Sequence, residues 1–147
     1  MSLAERLNED MKQAMKSQDK FRLSTIRMVR ASIKNQEIEL GRPLEDNEVL
    51  EILGREVKQR KDSLQEFLKA GRDDLSTNLT AEIDIISQYL PEQLNEEEIK
   101  AIVTQTIQET GASSKADLGK LMGALMPKVK GRADGKQVNQ IVQQFLQ

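Results

Sequence analysis

The chain has 147 residues with neither Cys nor His, and its only aromatic residues are one Tyr and three Phe. This length suits one ordinary domain or two small ones with an aliphatic core. The missing Cys and His exclude a disulfide framework, thiol catalysis and the commonest general base. The net charge is −2, but six basic and two acidic residues from position 111 onward give +4, which leaves −6 for residues 1–110.

Helix signals divide the first part of the chain into four segments. Ser2 and Glu5 form a capping-box pattern at the first of them. Apolar residues recur at helical spacing within each segment. The predicted helices run from Ser2 to about Ser17, from Asp19 to Leu40, from near Asp46 to Ala70, and from about Leu75 to a point before Pro91. The core stripe of the second helix is expected at Ile26, Val29, Ile33 and Leu40.

Three shorter helices are predicted beyond the stretch 91–94, which we interpret as a boundary. They begin at Asn95, at Ser113 or Ser114, and at Asp134 or Gly135. The middle one is expected to stop at Pro127, so that all three prolines lie between helices. The buried side of the last one is expected at Val138, Ile141, Val142 and Phe145.

No segment alternates apolar and polar residues as a half-buried strand does. The sequence therefore predicts an all-α fold with two helical domains. Residues 1–92 form an N-terminal bundle of about four helices, and residues 93–147 form a small three-helix bundle.

Several functions are disfavoured by the residues present. Nucleophilic catalysis has no His to act as base, and Glu96, Glu97 and Glu98 lie in a helix first turn, where the dipole accounts for them. We expect no catalytic residues, no cofactor and no metal. There is no signal-peptide pattern and no apolar run near the roughly 20 residues of a membrane helix. We therefore expect a cytoplasmic protein without a membrane partner.

Two groups of basic residues lie on the longer helices. Arg60 follows Glu56 by four residues, which favours an intrahelical ion pair on a solvated face. Arg27, Arg30 and Lys34 share one face of the second helix with few acids nearby. We expect these three to pair with acids on a neighbouring helix, and an auxiliary anion-binding face is the alternative.

Gly119 and Gly123 lie four residues apart on one face of the sixth helix. Each costs a helix about 1 kcal/mol relative to Ala. Their spacing indicates that something approaches the backbone closely. That neighbour is either another helix of the same small domain or a helix of a partner protein.

The segment after the sixth helix is the strongest candidate for binding. Its basic residues crowd around Gly131 and Gly135 with only Asp134 to offset them; they are Lys128, Lys130, Arg132 and Lys136. A glycine-framed loop before a helix exposes backbone N–H groups to an anion, and Lys and Arg attract a phosphate backbone irrespective of sequence. Because Phe145 is expected in the core, no aromatic remains here to stack on bases. A nucleic-acid contact, a protein partner and simple solubility all remain open on these grounds.

At this loop the sequence resembles a known family. Residues 119–123 (GKLMG) and 130–139 (KGRADGKQVN) are similar to the signature of the YqeY family, as are residues 21–28 (FRLSTIRM) and 56–63 (EVKQRKDS). The resemblance covers essentially the whole chain. YqeY proteins share their C-terminal helical domain with GatB, the B subunit of the tRNA-dependent amidotransferase.

The resemblance implies two helical domains and a role near tRNA. In the amidotransferase the tail domain helps to hold the tRNA, while amidation occurs elsewhere. The resemblance implies that five basic residues face the RNA: Lys120, Lys128, Lys130, Arg132 and Lys136. It also implies that three glycines determine the shape of this region: Gly119, Gly123 and Gly131. We therefore expect a module that binds tRNA or accompanies an amidotransferase. A protein–protein adaptor is the alternative, and a glutamine-dependent carbon–nitrogen ligase is the weakest one.

Overall fold

The computed structural model describes residues 1–146, which form helices joined by short loops and contain no strand. The all-α prediction is therefore confirmed. The chain divides into two compact units, Met1–Leu90 and Pro91–Gln147. The boundary that the sequence placed after residue 92 lies close to this division.

Four helices make up the first unit: α1 (Leu3–Lys16), α2 (Lys20–Leu40), α3 (Asp46–Lys69) and α4 (Asp73–Ser87). The capping box at the start of α1 is present, since the Ser2 hydroxyl accepts from the Glu5 N–H at 3.1 Å and the Glu5 carboxylate accepts from the Ser2 N–H at 3.2 Å. Gly41 ends α2 with φ 73, a left-handed conformation that costs glycine no clash with a Cβ.

The core of the first unit is aliphatic apart from one tyrosine. It contains Leu7, Ile26, Val29, Ile33, Val49, Ile52, Leu53, Val57, Ile86 and Tyr89. The expected contribution of Leu40 is wrong, because this side chain is 44% exposed. Residues 38–40, the last turn of α2, are exposed throughout, so no helix within residues 1–146 covers the position that periodicity assigned to the core.

Three helices and one short turn form the second unit: α5 (Glu96–Thr110), a 3-10 turn (Lys115–Asp117), α6 (Leu118–Val129) and α7 (Gly135–Phe145). Asn95 caps α5 and Glu98 completes the capping box. The buried side chains of this unit are Ile99, Val103, Ala112, Leu121, Leu125, Val129, Val138, Ile141, Val142 and Leu146.

Pro127 lies inside α6, so the prediction that it halts this helix is wrong. A proline removes one N–H, and its ring opposes the carbonyl four residues earlier, here that of Gly123. The helix nevertheless continues to Val129, whose side chain is 1% exposed, and the Lys130 N–H donates to the Met126 carbonyl at 2.9 Å. Burial of Val129 stabilises the final turn despite the missing hydrogen bond.

Candidate nucleic-acid interface

The loop between α6 and α7, residues 130–134, is fixed to the segment that precedes α5. The Leu94 N–H donates to the Arg132 carbonyl at 2.8 Å, and the side-chain amide of Gln93 donates to the Gly131 carbonyl at 2.9 Å. Gly131 has φ 75, a value that an L side chain rarely adopts. The loop therefore has a defined conformation that depends on glycine at position 131.

Three of the basic residues lie in this loop or in the helical turn that follows it: Lys130, Arg132 and Lys136. Lys130 and Lys136 are exposed, whereas Arg132 is half-buried and its Nε donates to the Glu92 carbonyl at 3.3 Å. The Asp134 carboxylate accepts from the Lys136 N–H at 3.1 Å and so caps α7. Since this cap already occupies an amide of the first turn, an anion here would be held chiefly by side chains. We call Lys130, Arg132 and Lys136 the loop cations.

Lys128 has a structural task that the sequence did not predict. Its Nζ lies 2.7 Å from a carboxylate oxygen of Glu109 and donates to the Thr106 hydroxyl at 2.9 Å. Thr106 is fully buried. The ammonium group thus ties α6 to α5, and Lys128 is engaged within the unit rather than directed at a ligand.

Lys120 is exposed but stands apart from the loop cations. It precedes Lys130 by ten residues, which corresponds to about 15 Å along a helix. Its charge acts on Asp117, whose pKa is lowered by hydrogen bonds from the backbone N–H groups of Ser113 and Ser114 and, to a smaller extent, by Lys120. The length of α6 therefore separates Lys120 from the loop cations.

Gly119 and Gly123 lie on an open face of α6. Both are exposed, and a Cβ built at either position meets nothing within 4 Å. The expectation that they admit a helix of the same domain is therefore wrong. The buried side of α6 contains Leu121, Leu125 and Val129. Both glycines lie on the opposite side of the helix, away from the core.

Phe145 is 40% exposed, so its predicted place in the core is wrong. α7 ends at this residue, and Leu146 continues in an extended conformation with its side chain only 2% exposed. Leu146 thus fills the position that helical spacing assigned to Phe145. Because Gly135 and Phe145 are at opposite ends of α7, about 15 Å apart, this ring does not add base stacking to the loop cations.

The charge of the second unit is divided between its helices. Residues 91–147 contain seven basic and seven acidic residues, a net charge of zero. The acids concentrate at positions 92–110, with five acidic residues against the single Lys100. Residues 91–110 therefore carry −4 of the −6 found in residues 1–110, and they belong to the same unit as the loop cations.

The basic residues of α2 do not form the expected ion pairs. Within residues 1–146, Arg27 and Lys34 have no hydrogen-bond or ion-pair partner for their side chains, and Arg30 donates to the Met11 sulfur at 2.9 Å. By contrast, the predicted Glu56–Arg60 pair is present, with 2.6 Å between Oε2 and Nη1. The sequence left an anion-binding face on α2 as the alternative, and this arrangement favours it.

No cluster of three or more acidic side chains that could hold a metal ion occurs among residues 1–146. In the same part of the chain, no helix is long and apolar enough to cross a membrane.

Comparison with known families places the chain. A model of the family described as "Yqey-like protein" matches residues 4–146. The chain belongs to the YqeY-like family. This confirms the resemblance drawn from the glycine-spaced α6 and the loop that follows it.

Three fungal relatives of this YqeY-like chain are each named "Altered inheritance of mitochondria protein 41, mitochondrial". The protein from Pyrenophora tritici-repentis is 32% identical over 96% of this chain and 79% of its own length. That from Clavispora lusitaniae is 36% identical over 87% of this chain and 74% of its own. That from Lachancea thermotolerans is 38% identical over 74% of this chain, and the match spans only 59% of that protein.

These relatives correct the expected compartment. The sequence led us to expect a cytoplasmic protein, and this is wrong, because the relatives are named as mitochondrial proteins and point to mitochondria. The expectation rested on the absence of a signal-peptide pattern, which addresses secretion and not mitochondrial import. Their shared name refers neither to tRNA nor to amidotransferase chemistry.

Proposed function

We propose that this YqeY-like chain binds structured RNA of the tRNA class through the loop cations of its second unit. One observation carries the proposal: Lys130 and Arg132 lie in an anchored, glycine-dependent loop, and Lys136 lies in the first turn of α7, which follows it. Phosphates are the groups that such a set attracts without regard to sequence. The fungal relatives suggest mitochondria as the compartment in which to seek this RNA.

The contacts would read the phosphate backbone and the shape of the RNA rather than its bases. Phe145, the one aromatic residue at positions 91–147, lies at the far end of α7 from the loop, and the cations are exposed or half-buried. Because the acidic α5 lies in the same unit, the footprint would be small and confined to the loop. RNA recognition of this kind depends on shape and backbone contacts.

The proposal is tested by reversing two of the loop cations. Lys130→Glu together with Lys136→Glu changes the charge by four units and leaves Arg132, which anchors the loop, in place. We expect the affinity for total tRNA at low salt to fall by at least about tenfold. The matched control is Lys61→Glu with Lys69→Glu, an equal charge change on exposed residues of α3, which should bind nearly as well as the wild type.

Equal losses in the two variants would mean that net charge alone drives the interaction, and the proposed surface would be wrong. If the loop variant binds tRNA as tightly as the wild type, the RNA contact lies outside the loop cations. Circular dichroism shows whether each variant keeps its helix content, so that loss of fold is not mistaken for loss of contact.

A second candidate function is a protein adaptor that receives a partner helix on α6. The observation in its favour is that Gly119 and Gly123 are open to solvent beside Met126, which is 37% exposed. Gly119→Leu with Gly123→Leu would fill this face. The adaptor function predicts that this variant loses its protein partner but keeps its affinity for tRNA. The RNA proposal does not involve this face of α6.

A further inference from the structure

The outer face of α2 carries a repeat of seven residues. Three parallel rows run along the helix, and all nine residues are exposed: Lys20, Arg27 and Lys34; Phe21, Met28 and Asn35; Ser24, Ala31 and Ile38. The first row is wholly basic, and the other two are mostly apolar or small. We call these nine residues the α2 heptad face.

Exposure on this face is large for apolar side chains. Phe21 is 38% exposed, Met28 41% and Ile38 69%. Isolated exposed apolar residues are ordinary, but residues aligned at seven-residue spacing are typical of a helix that pairs with another helix. The opposite side of α2 already packs into the core of the unit through Ile26, Val29 and Ile33.

The basic row is not neutralised by its neighbours. Arg27 and Lys34 have no ion-pair partner within residues 1–146. Glu37, the acid nearest to Lys34 along α2, uses its carboxylate to accept from the Leu44 N–H at 3.0 Å. The row therefore presents positive charge to an incoming partner.

A groove lies beside the basic row. It has a volume of about 440 Å³ and is lined by Ala4 and Leu7 of α1 together with Arg27, Arg30, Ala31, Ile33, Lys34 and Glu37 of α2. Its lining combines four apolar side chains with three basic ones and Glu37. An apolar side chain with a carboxylate next to it satisfies both parts of this lining, since Arg forms strong hydrogen bonds with carboxylates.

We propose that the α2 heptad face docks an acidic amphipathic helix of a partner protein. Carboxylates spaced by seven residues on that helix would face Lys20, Arg27 and Lys34, and its apolar residues would cover Phe21, Met28 and Ile38. A second copy of this chain fits less well, because its own α2 heptad face contains no acidic residue to pair with the basic row. RNA fits less well, because a phosphodiester backbone offers no match for the apolar rows. The proposal is independent of RNA binding by the second unit.

The test uses the full chain and a synthetic helix as probe. The peptide has three heptads, with Glu at one heptad position and Leu at the two positions that face the apolar rows. A second peptide has Lys in place of each Glu. Fluorescence anisotropy of the labelled peptides should show saturable binding of the Glu peptide and at least about tenfold weaker binding of the Lys peptide.

Three variants locate the contact. Arg27→Glu with Lys34→Glu should weaken binding of the Glu peptide by about tenfold or more. Lys61→Glu with Lys69→Glu matches this charge change on α3 and should have little effect. Lys130→Glu with Lys136→Glu should also leave the peptide affinity unchanged, which separates this face from the loop cations. Because Arg27 and Lys34 make no side-chain hydrogen bond or ion pair within residues 1–146, their reversal should not unfold the unit.

Several results would overturn the proposal. They are no saturable binding of the Glu peptide, equal affinity for both peptides, or equal losses in the α2 and α3 variants. If the α2 variant instead loses affinity for tRNA while the Glu peptide does not bind, the face is an RNA surface. If the loop cations do not bind RNA, the test of the α2 heptad face is unaffected, because the two tests use different variants and different probes.

Discussion

Tyr89 joins the core of the first unit to a charged neighbour. Its ring is 4% exposed, its hydroxyl donates to the Asp10 carboxylate, and the Arg6 guanidinium lies 4.6 Å from the ring centroid. Burial, followed by the interaction with Asp10, raises the pKa of Tyr89 to about 12. The folded state therefore holds this proton more tightly than the unfolded chain, in which the pKa of tyrosine is about 10.

This shift predicts a loss of stability in alkali. The stabilisation is fully present below about pH 10, and it declines as the pH rises from about 10 to 12. Tyr89→Phe should cost about 1–2 kcal/mol at neutral pH, since it removes a hydrogen bond to a carboxylate, and should flatten this alkaline decline. Urea unfolding of both proteins at pH 7 and at about pH 10.5 measures the difference. An equally steep alkaline loss in the variant would show that other groups control it.

Gly119 and Gly123 give a prediction of the opposite sign. A Cβ at either position meets nothing within 4 Å, and both residues have ordinary helical φ values. Gly119→Ala with Gly123→Ala should therefore raise the free energy of unfolding by up to about 2 kcal/mol, because each glycine costs a helix about 1 kcal/mol. Denaturant unfolding provides the measurement. A less stable variant would mean that the α6 face is covered in solution.

Among the helices, the Glu56–Arg60 pair links α3 to two others. Its Nη1 lies 2.6 Å from the Glu56 carboxylate, its Nε lies 3.0 Å from that of Glu82 on α4, and Glu56 also accepts from the Ser32 hydroxyl of α2 at 2.7 Å. The Arg60 side chain is only 12% exposed. Glu56–Arg60 was foreseeable from the four-residue spacing, whereas Glu82 was not, because its position depends on how α4 packs against α3.

Arg60→Ala should destabilise the first unit by about 3 kcal/mol, because it leaves two largely buried carboxylates facing each other without their cation. Adding Glu82→Gln should recover part of this loss by removing one of the charges. Thermal unfolding of the two variants and the wild type tests the coupling. If the double variant is less stable than Arg60→Ala, repulsion between the carboxylates is not the cause.

Helix ends were predictable because capping signals involve only neighbouring residues. The packing of each helix face was less predictable. Ser2, Asn95, Gly41 and Gly111 determine helix boundaries through capping and left-handed glycine conformations that involve a few adjacent residues. The prediction that α6 stops at Pro127 was wrong, because the burial of Val129 stabilises the end of this helix and outweighs the local effect of the proline. Spacing placed Arg27 and Lys34 on one face of α2, but only the structure shows that no acid pairs with either of them within residues 1–146.

At the level of the whole molecule, periodicity indicated the fold class, and motif resemblance indicated the family. The binding set was less accessible, because spacing along the chain does not show which cations are engaged. Lys128 pairs with Glu109 across α5 and α6, and Lys120 is held apart from the loop by the length of α6. Lys130 and Arg132 belong to the loop and Lys136 to the first turn of α7, and the proposed RNA contact rests on these three residues.

The central claim is that these three residues contact phosphates, and the salt dependence of tRNA binding tests it most directly. Each neutralised phosphate contributes about 0.7–0.9 to the slope of log affinity against log salt, so three contacts predict a slope of about −2 to −3. Affinity for total tRNA would be measured from about 50 to 200 mM salt with the wild-type chain. A slope in this range is the expected result, whereas no binding at the lowest salt, or an affinity indifferent to salt, would contradict the proposed function.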